Sequence, residues 1–142
     1  MFNIPDINID LRVQKLLSQM AAGKSHTTSN AYDTSWVARL SNDYRSYNFD
    51  EAVTWLKRHQ NNNGSWGSPI LHYHDRFVST LSSIIALKML GKGYDDEQRI
   101  RAGESYLWHE ANRISHDSHD TIAFPLISLA LGKEAIKLGL DV

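Results

Sequence analysis

The stretch from Trp55 to Gly67, reading WLKRHQNNNGSWG, constrains this chain more than any other. Trp55 and Leu56 close an amphipathic helix and Gln60 ends it. Gly64-Ser65-Trp66-Gly67 then makes a turn that returns an indole. A glutamine at a helix end can donate to and accept from backbone groups left free by the adjoining turn, and Gly64 can take positive φ. The spacing predicts a staple between helices.

The rest of the chain reads as helical scaffold. Ile9, Val13, Leu16, Leu17 and Met20 share one face, predicting a helix over residues 9 to 22 that stops near Gly23. Ser29 caps a second helix carrying Tyr32, Trp36, Val37 and Leu40, with Asp33 among them. That carboxylate is expected to be buried and to accept hydrogen bonds from backbone or from Arg76, because burying it unpaired would cost several kcal/mol. Asn48 and Glu51 form a capping-box variant for a helix running to Gln60. A loop over 61 to 74 follows. His72 and His74 at i, i+2 point apart on a helix, which argues against a metal pair.

From Arg76 to Leu90 the chain is apolar on most sides, predicting the most buried helix, with Gly91 as its stop. Asp95 and Gln98 suggest another capping box, opening a helix over 95 to 114 with a seam at Ile100, Gly103, Leu107, Ala111 and Ile114. The last helix carries Ile122, Phe124, Leu126, Ile127, Leu129 and Leu131, with Pro125 in its first turn or at a kink and Gly139 at its end. No segment alternates with period two, so the fold class is all-α.

Composition narrows the function. The 142 residues suffice for about one domain, and 15 basic against 16 acidic residues leave no footprint for nucleic acid or an anionic membrane. No run approaches a transmembrane span and MFNIPDINID lacks a secretory pattern, so a cytoplasmic protein is expected. The absence of cysteine excludes disulfides and thiolate chemistry.

Three signals in order resemble the N-terminal part of class II diterpene cyclases, the copalyl and halimadienyl diphosphate synthase family. Ser29 to Ala38 is similar to that family's SAYDTAWVA stretch, Trp55 to Gly67 to its QW motif, and Asp75-Arg76-Phe77-Val78-Ser79-Thr80-Leu81 to its DR-ST-L helix. Phe124-Pro125-Leu126-Ile127 and Lys137-Leu138-Gly139-Leu140-Asp141 resemble two later family segments. The resemblance implies part of an α/α toroid, with residues 24 to 142 as an incomplete γ-like domain and residues 1 to 23 as a helix that contacts another domain or subunit, or packs on its own domain. It implies architectural roles for Tyr32, Asp33, Trp36, Gln60, Gly64, Trp66, Asp75 and Arg76.

Protonating an alkene requires a neutral carboxylic acid in a dry cavity. The resembled enzymes supply it from a DxDD motif, which neither Asp95-Asp96 nor Asp117-Ser118-His119-Asp120 reproduces. No catalytic residue is therefore assigned to this chain, which is expected to be inactive alone. The family's acidic stretch, thought to hold the Mg2+ that accompanies the substrate diphosphate, corresponds here to Glu110, Asp117 and Asp120, with Thr121 where a glutamate is usual. Helix capping is the plainer role for Asp117 or Asp120, and His116 and His119 are loop residues able to titrate near neutrality. The implied function is cyclisation of geranylgeranyl diphosphate to a bicyclic diphosphate, completed by a second polypeptide or domain bearing DxDD. The alternative is a non-catalytic binding or regulatory module on the same scaffold.

Overall fold

Ser79 to Leu87 are buried without interruption, and that run forms the axis of the molecule. The computed structural model describes residues 30 to 43, 50 to 116 and 122 to 142. The expected helix over 9 to 22, the Ser29 cap, the Asn48 half of a capping box and residues 117 to 121 lie outside the described residues. Among those described there are five α-helices and no strand: α1 (Ala31–Asp43), α2 (Asp50–Arg58), α3 (Tyr73–Leu90), α4 (Tyr94–Glu110) and α5 (Phe124–Lys137). A 3-10 segment, Ala111–His116, follows α4.

A helix without a polar face belongs inside a bundle, and α3 is surrounded by α1, α2, α4 and α5. Its hydroxyl side chains are small enough for close packing, and all but the buried Ser83 Oγ find partners. Thr80 Oγ1 donates to Arg76 O at 2.6 Å, Ser79 Oγ donates to Asp75 Oδ1 at 3.3 Å, and Ser82 Oγ meets Ser35 Oγ of α1. From α1 the inward face is Ala31, Ser35 and Ala38, all small, while Trp36, Val37 and Leu40 are exposed. Between α3 and α4 close approach depends on Gly103, where a Cβ would lie 2.5 Å from Ile84 Cγ2 and 3.3 Å from Trp66 Cζ3.

Several boundaries differ from the sequence expectation. α3 begins at Tyr73, inside the expected loop, because His72 serves as N-cap, its ring accepting the Asp75 N–H at 3.3 Å. Gly91 does end this helix, but in extended conformation. What it needs is space, since a Cβ there would fall 2.4 Å from Leu87 O. The Asp95–Gln98 box does not form: Gly93 is the N-cap of α4 and there is no side-chain cap bond. Asp96 turns inward instead, its Oδ2 accepting from Lys92 N–H at 2.8 Å and Lys57 Nζ at 3.0 Å.

The seam of α4 holds through Ile100, Gly103 and Leu107 and then stops, with Ala111 exposed in the 3-10 segment. Ile122 sits exposed in the turn before α5, not in the helix, and Pro125 lies in the first turn. At the other end of α5, Gly139 takes φ +75°, Leu140 N–H donates to Ala135 O at 3.0 Å and Gly139 N–H to Ile136 O at 3.0 Å. This paired pattern returns a buried Leu140 onto Ala135.

Candidate functional site

The three sequence signals meet at one end of α3. Gln60, just past α2, donates through Nε2 to Gly64 O and to Arg99 O of α4, both at 2.9 Å, and its Oε1 accepts from Arg99 Nη1 at 3.3 Å. One amide therefore closes the turn and ties α2 to α4. Gly64 has φ +88°, and a Cβ there would sit 2.3 Å from Ala102 O, so glycine is required twice over. The indole of Trp66 is fully buried and donates Nε1–H to Leu56 O at 2.7 Å. Its backbone N–H donates to Thr80 Oγ1 at 3.0 Å. The expected staple is present, and α3 completes it.

Asp75 and Arg76 clamp the same turn from the start of α3. Asp75 Oδ2 accepts the Ser68 N–H at 3.1 Å; Arg76 Nη1 donates to Ser65 Oγ at 3.1 Å and Nη2 to Ser68 O. Arg76 thus serves Ser65 and Ser68, not Asp33. Asp33 is exposed, and it exchanges bonds with Asn30: its N–H donates to Asn30 Oδ1 at 2.8 Å and Asn30 Nδ2 donates to its Oδ2 at 2.6 Å. The expected buried acid lies at the surface, where it buttresses Asn30 as the cap of α1, because the turn of α1 that faces the core offers Ala31 and Ser35 instead.

Tyr32 and Trp36 stand edge to face, centroids 6.3 Å apart, and Arg39 lies 3.9 Å above the indole while pairing with Glu134 of α5. Arg39 and Asp96 are contributors that the sequence reading missed. The i, i+3 spacing of Trp36 and Arg39 was a usable signal; the Asp96–Lys57 pair, from different helices, had none.

The acidic candidates are only partly described. Glu110, at the end of α4, has its Oε2 3.3 Å from Arg113 Nε, and Asp117 and Asp120 lie outside the described residues. Arg113 is also held by a hydrogen bond from its side chain to Tyr73, which raises its pKa further. Glu110 and Arg113 form an i, i+3 ion pair at the surface. No group of three or more His, Asp or Glu side chains suited to a metal occurs among the described residues. Nearby, burial pushes the Tyr106 hydroxyl above its usual range, opposed by Arg76 and Arg113 and reinforced by Glu110 and Tyr73. His74 is buried and stacks on Phe124 at 4.1 Å between centroids, so it joins α3 to α5 as packing.

A cleft of about 600 Å³ opens where Asn30, Trp55, His59, Ser68 and Asp75 approach one another. Asn30 there bonds Asp33, Asp75 Oδ2 takes the Ser68 N–H, and His59 Nδ1 lies 2.8 Å from Trp55 O. This arrangement orders three helix ends and holds them together.

No protein-family model matches the chain. It is 34% identical over 134 residues to a chloroplastic bifunctional diterpene synthase of Selaginella moellendorffii, covering 92% of this chain and 15% of that protein. It is 33% identical over 141 residues to the chloroplastic bifunctional abietadiene synthase of Abies grandis, covering 92% and 16%. Among solved structures, abietadiene synthase from Abies grandis superposes with a TM-score of 0.73 at 30% identity, covering 94% of this chain and 18% of that one. The ent-copalyl diphosphate synthase of Arabidopsis thaliana, solved with an aza-dihydrogeranylgeranyl thiolodiphosphate, gives 0.69 at 28%, covering 81% and 17%. The chain has the all-α fold of part of a terpene cyclase toroid and spans about one sixth of the length of these relatives. Their names place them in chloroplasts where the sequence reading expects the cytoplasm; among the described residues no helix is long and apolar enough to cross a membrane.

Proposed function

We propose, from the homology of this chain to a segment of the diterpene synthases, that it is the γ-like portion of a class II diterpene cyclase acting on geranylgeranyl diphosphate. The observation that carries the reading is a match over 92% of the chain to such enzymes, joined to a shared fold. In this reading the proton donor is a DxDD carboxylic acid in a second polypeptide or domain, and the present chain supplies a rigid wall. The Gln60 staple and the Asp75–Arg76 clamp keep three helix ends in register, because a positively charged intermediate tolerates neither stray water nor a loose boundary. Magnesium enters as the counter-ion of the substrate diphosphate, with Glu110, Asp117 and Asp120 as this chain's oxygen donors. The product is a bicyclic diphosphate.

A second reading is a non-catalytic module on the same scaffold, which Thr121 favours by standing where the resembled family usually has a glutamate. The test is turnover of geranylgeranyl diphosphate with magnesium, by the chain alone and mixed with a DxDD-bearing polypeptide. Product from the mixture only supports the cyclase reading. Product from the chain alone removes the argument for a supplied acid. Binding without product favours the module.

A further inference from the structure

Two consecutive residues in the first turn of α3 hold the chain on either side of residues 117 to 121. Arg113 donates a side-chain hydrogen bond to Tyr73, and its Nε lies 3.3 Å from Glu110 Oε2, so one tyrosine ties the end of α4 and the 3-10 segment to α3. His74 is buried and lies flat on Phe124, with centroids 4.1 Å and planes 14° apart, while Phe77 meets the same ring edge on at 5.9 Å. The 3-10 segment and α5 both pack on α3. Neighbouring Cα atoms are about 3.8 Å apart, so both flanks are fastened to one helix turn.

The backbone leading into α5 is itself constrained. Ala123 has φ +63°, in the left-handed region that a residue with a Cβ seldom adopts, and among the described residues no other non-glycine residue does so. Its carbonyl accepts from Leu126 N–H and Ile127 N–H, both at 3.0 Å, and the Phe124 stack stands beside it. A strained conformation persists only where its surroundings fix it, and such residues gather at ligand and catalytic sites.

We infer that Tyr73 and His74 are positioning residues for the divalent cation, holding the two ends of the acidic stretch so that Glu110, Asp117 and Asp120 present their oxygens together. The inference rests on the magnesium reading of the proposed function and names what aims that site. The donor set suits a hard cation, since all three are carboxylates. Tyr73 acts on Glu110 through Arg113, and His74 acts on the chain entering α5 through Phe124. Neither touches the metal. Contacts one step behind the ligands typically govern metal affinity by about 10–100-fold.

The test uses the full chain with Mn2+ alone as probe, free Mn2+ being read by electron paramagnetic resonance and melting by circular dichroism. His74→Leu and Phe124→Leu remove the stack from either side, Tyr73→Phe removes the acceptor for Arg113, and Phe124→Tyr keeps the ring. The first three are expected to weaken Mn2+ binding about tenfold, and Phe124→Tyr to bind as wild type. Gly103→Ala, which crowds Ile84, controls for lost stability: it should lower the melting temperature and leave Mn2+ affinity unchanged. Wild-type affinity in His74→Leu or Tyr73→Phe would overturn the inference, as would an equal loss in Phe124→Tyr or Gly103→Ala. No Mn2+ bound by the wild type would overturn it together with the magnesium reading. Mn2+ binding that depends on these residues, with no turnover once a DxDD-bearing polypeptide is added, keeps the inference and removes the cyclase reading.

Discussion

The indole of Trp66 donates to the carbonyl of Leu56 at 2.7 Å, reaching ten residues back to the end of α2. Leu56 is itself fully buried, so its carbonyl has no water to turn to. Trp66→Phe removes one of that oxygen's two donors, leaving the His59 N–H at 3.2 Å, and opens space beside Gly103. It is expected to cost about 0.5–1.5 kcal/mol from the lost bond, and Trp66→Ala about 3–5 kcal/mol. Urea denaturation monitored by circular dichroism measures both.

Gln60→Ala should destabilise for a related reason. Two carbonyls, Gly64 O and Arg99 O, lose one shared donor. A loss of about 1–3 kcal/mol is expected, and Gln60→Glu should not rescue it, because a carboxylate cannot donate to either oxygen. Equal stability of Gln60→Glu and wild type would show that the staple holds by packing alone.

Glycine substitutions in two helices should have opposite signs. At Gly103 a methyl group meets Ile84 Cγ2 at 2.5 Å, so Gly103→Ala is expected to cost about 1–3 kcal/mol through overpacking. At Gly132, inside α5, nothing lies within 4 Å, so Gly132→Ala is expected to stabilise by about 0.5–1 kcal/mol. Thermal melts of the two variants decide it.

The Arg39–Glu134 pair links α1 to α5 with Arg39 buried and Glu134 about one third exposed. A double-mutant cycle with Arg39→Ala and Glu134→Ala is expected to give a coupling of about 0.5–3 kcal/mol, discounted toward the lower half by solvent at Glu134. A coupling near zero would mean that Arg39 is retained for its contact with Trp36.

Alkaline stability should report on Tyr106. Burial raises its pKa in the fold, so the folded state holds this proton more tightly than the unfolded chain. Its contribution is fully present below the ordinary tyrosine value near 10 and is lost as pH rises through the higher folded value. Tyr106→Phe should therefore flatten the decline in stability above about pH 10 relative to wild type. An unchanged alkaline limb would place the shift elsewhere.

Much of the fold was legible in the sequence because local chemistry specifies it. The order Gln60, Gly64, Trp66 anticipates a staple, the run after Arg76 anticipates a buried helix, and Gly139 anticipates a helix stop, since each depends on residues within one turn or one helix. Asp33 was misjudged for the complementary reason: its neighbours Tyr32 and Trp36 are aromatic, but which face of α1 turns inward was decided by the fit of Ala31, Ser35 and Ala38 against α3. Asp95 was read with a capping turn that does not form, while its neighbour Asp96 reaches Lys57 on another helix. A side chain's charge is written in the sequence, but its partner is chosen by distance, and distances between helices exist only once they pack.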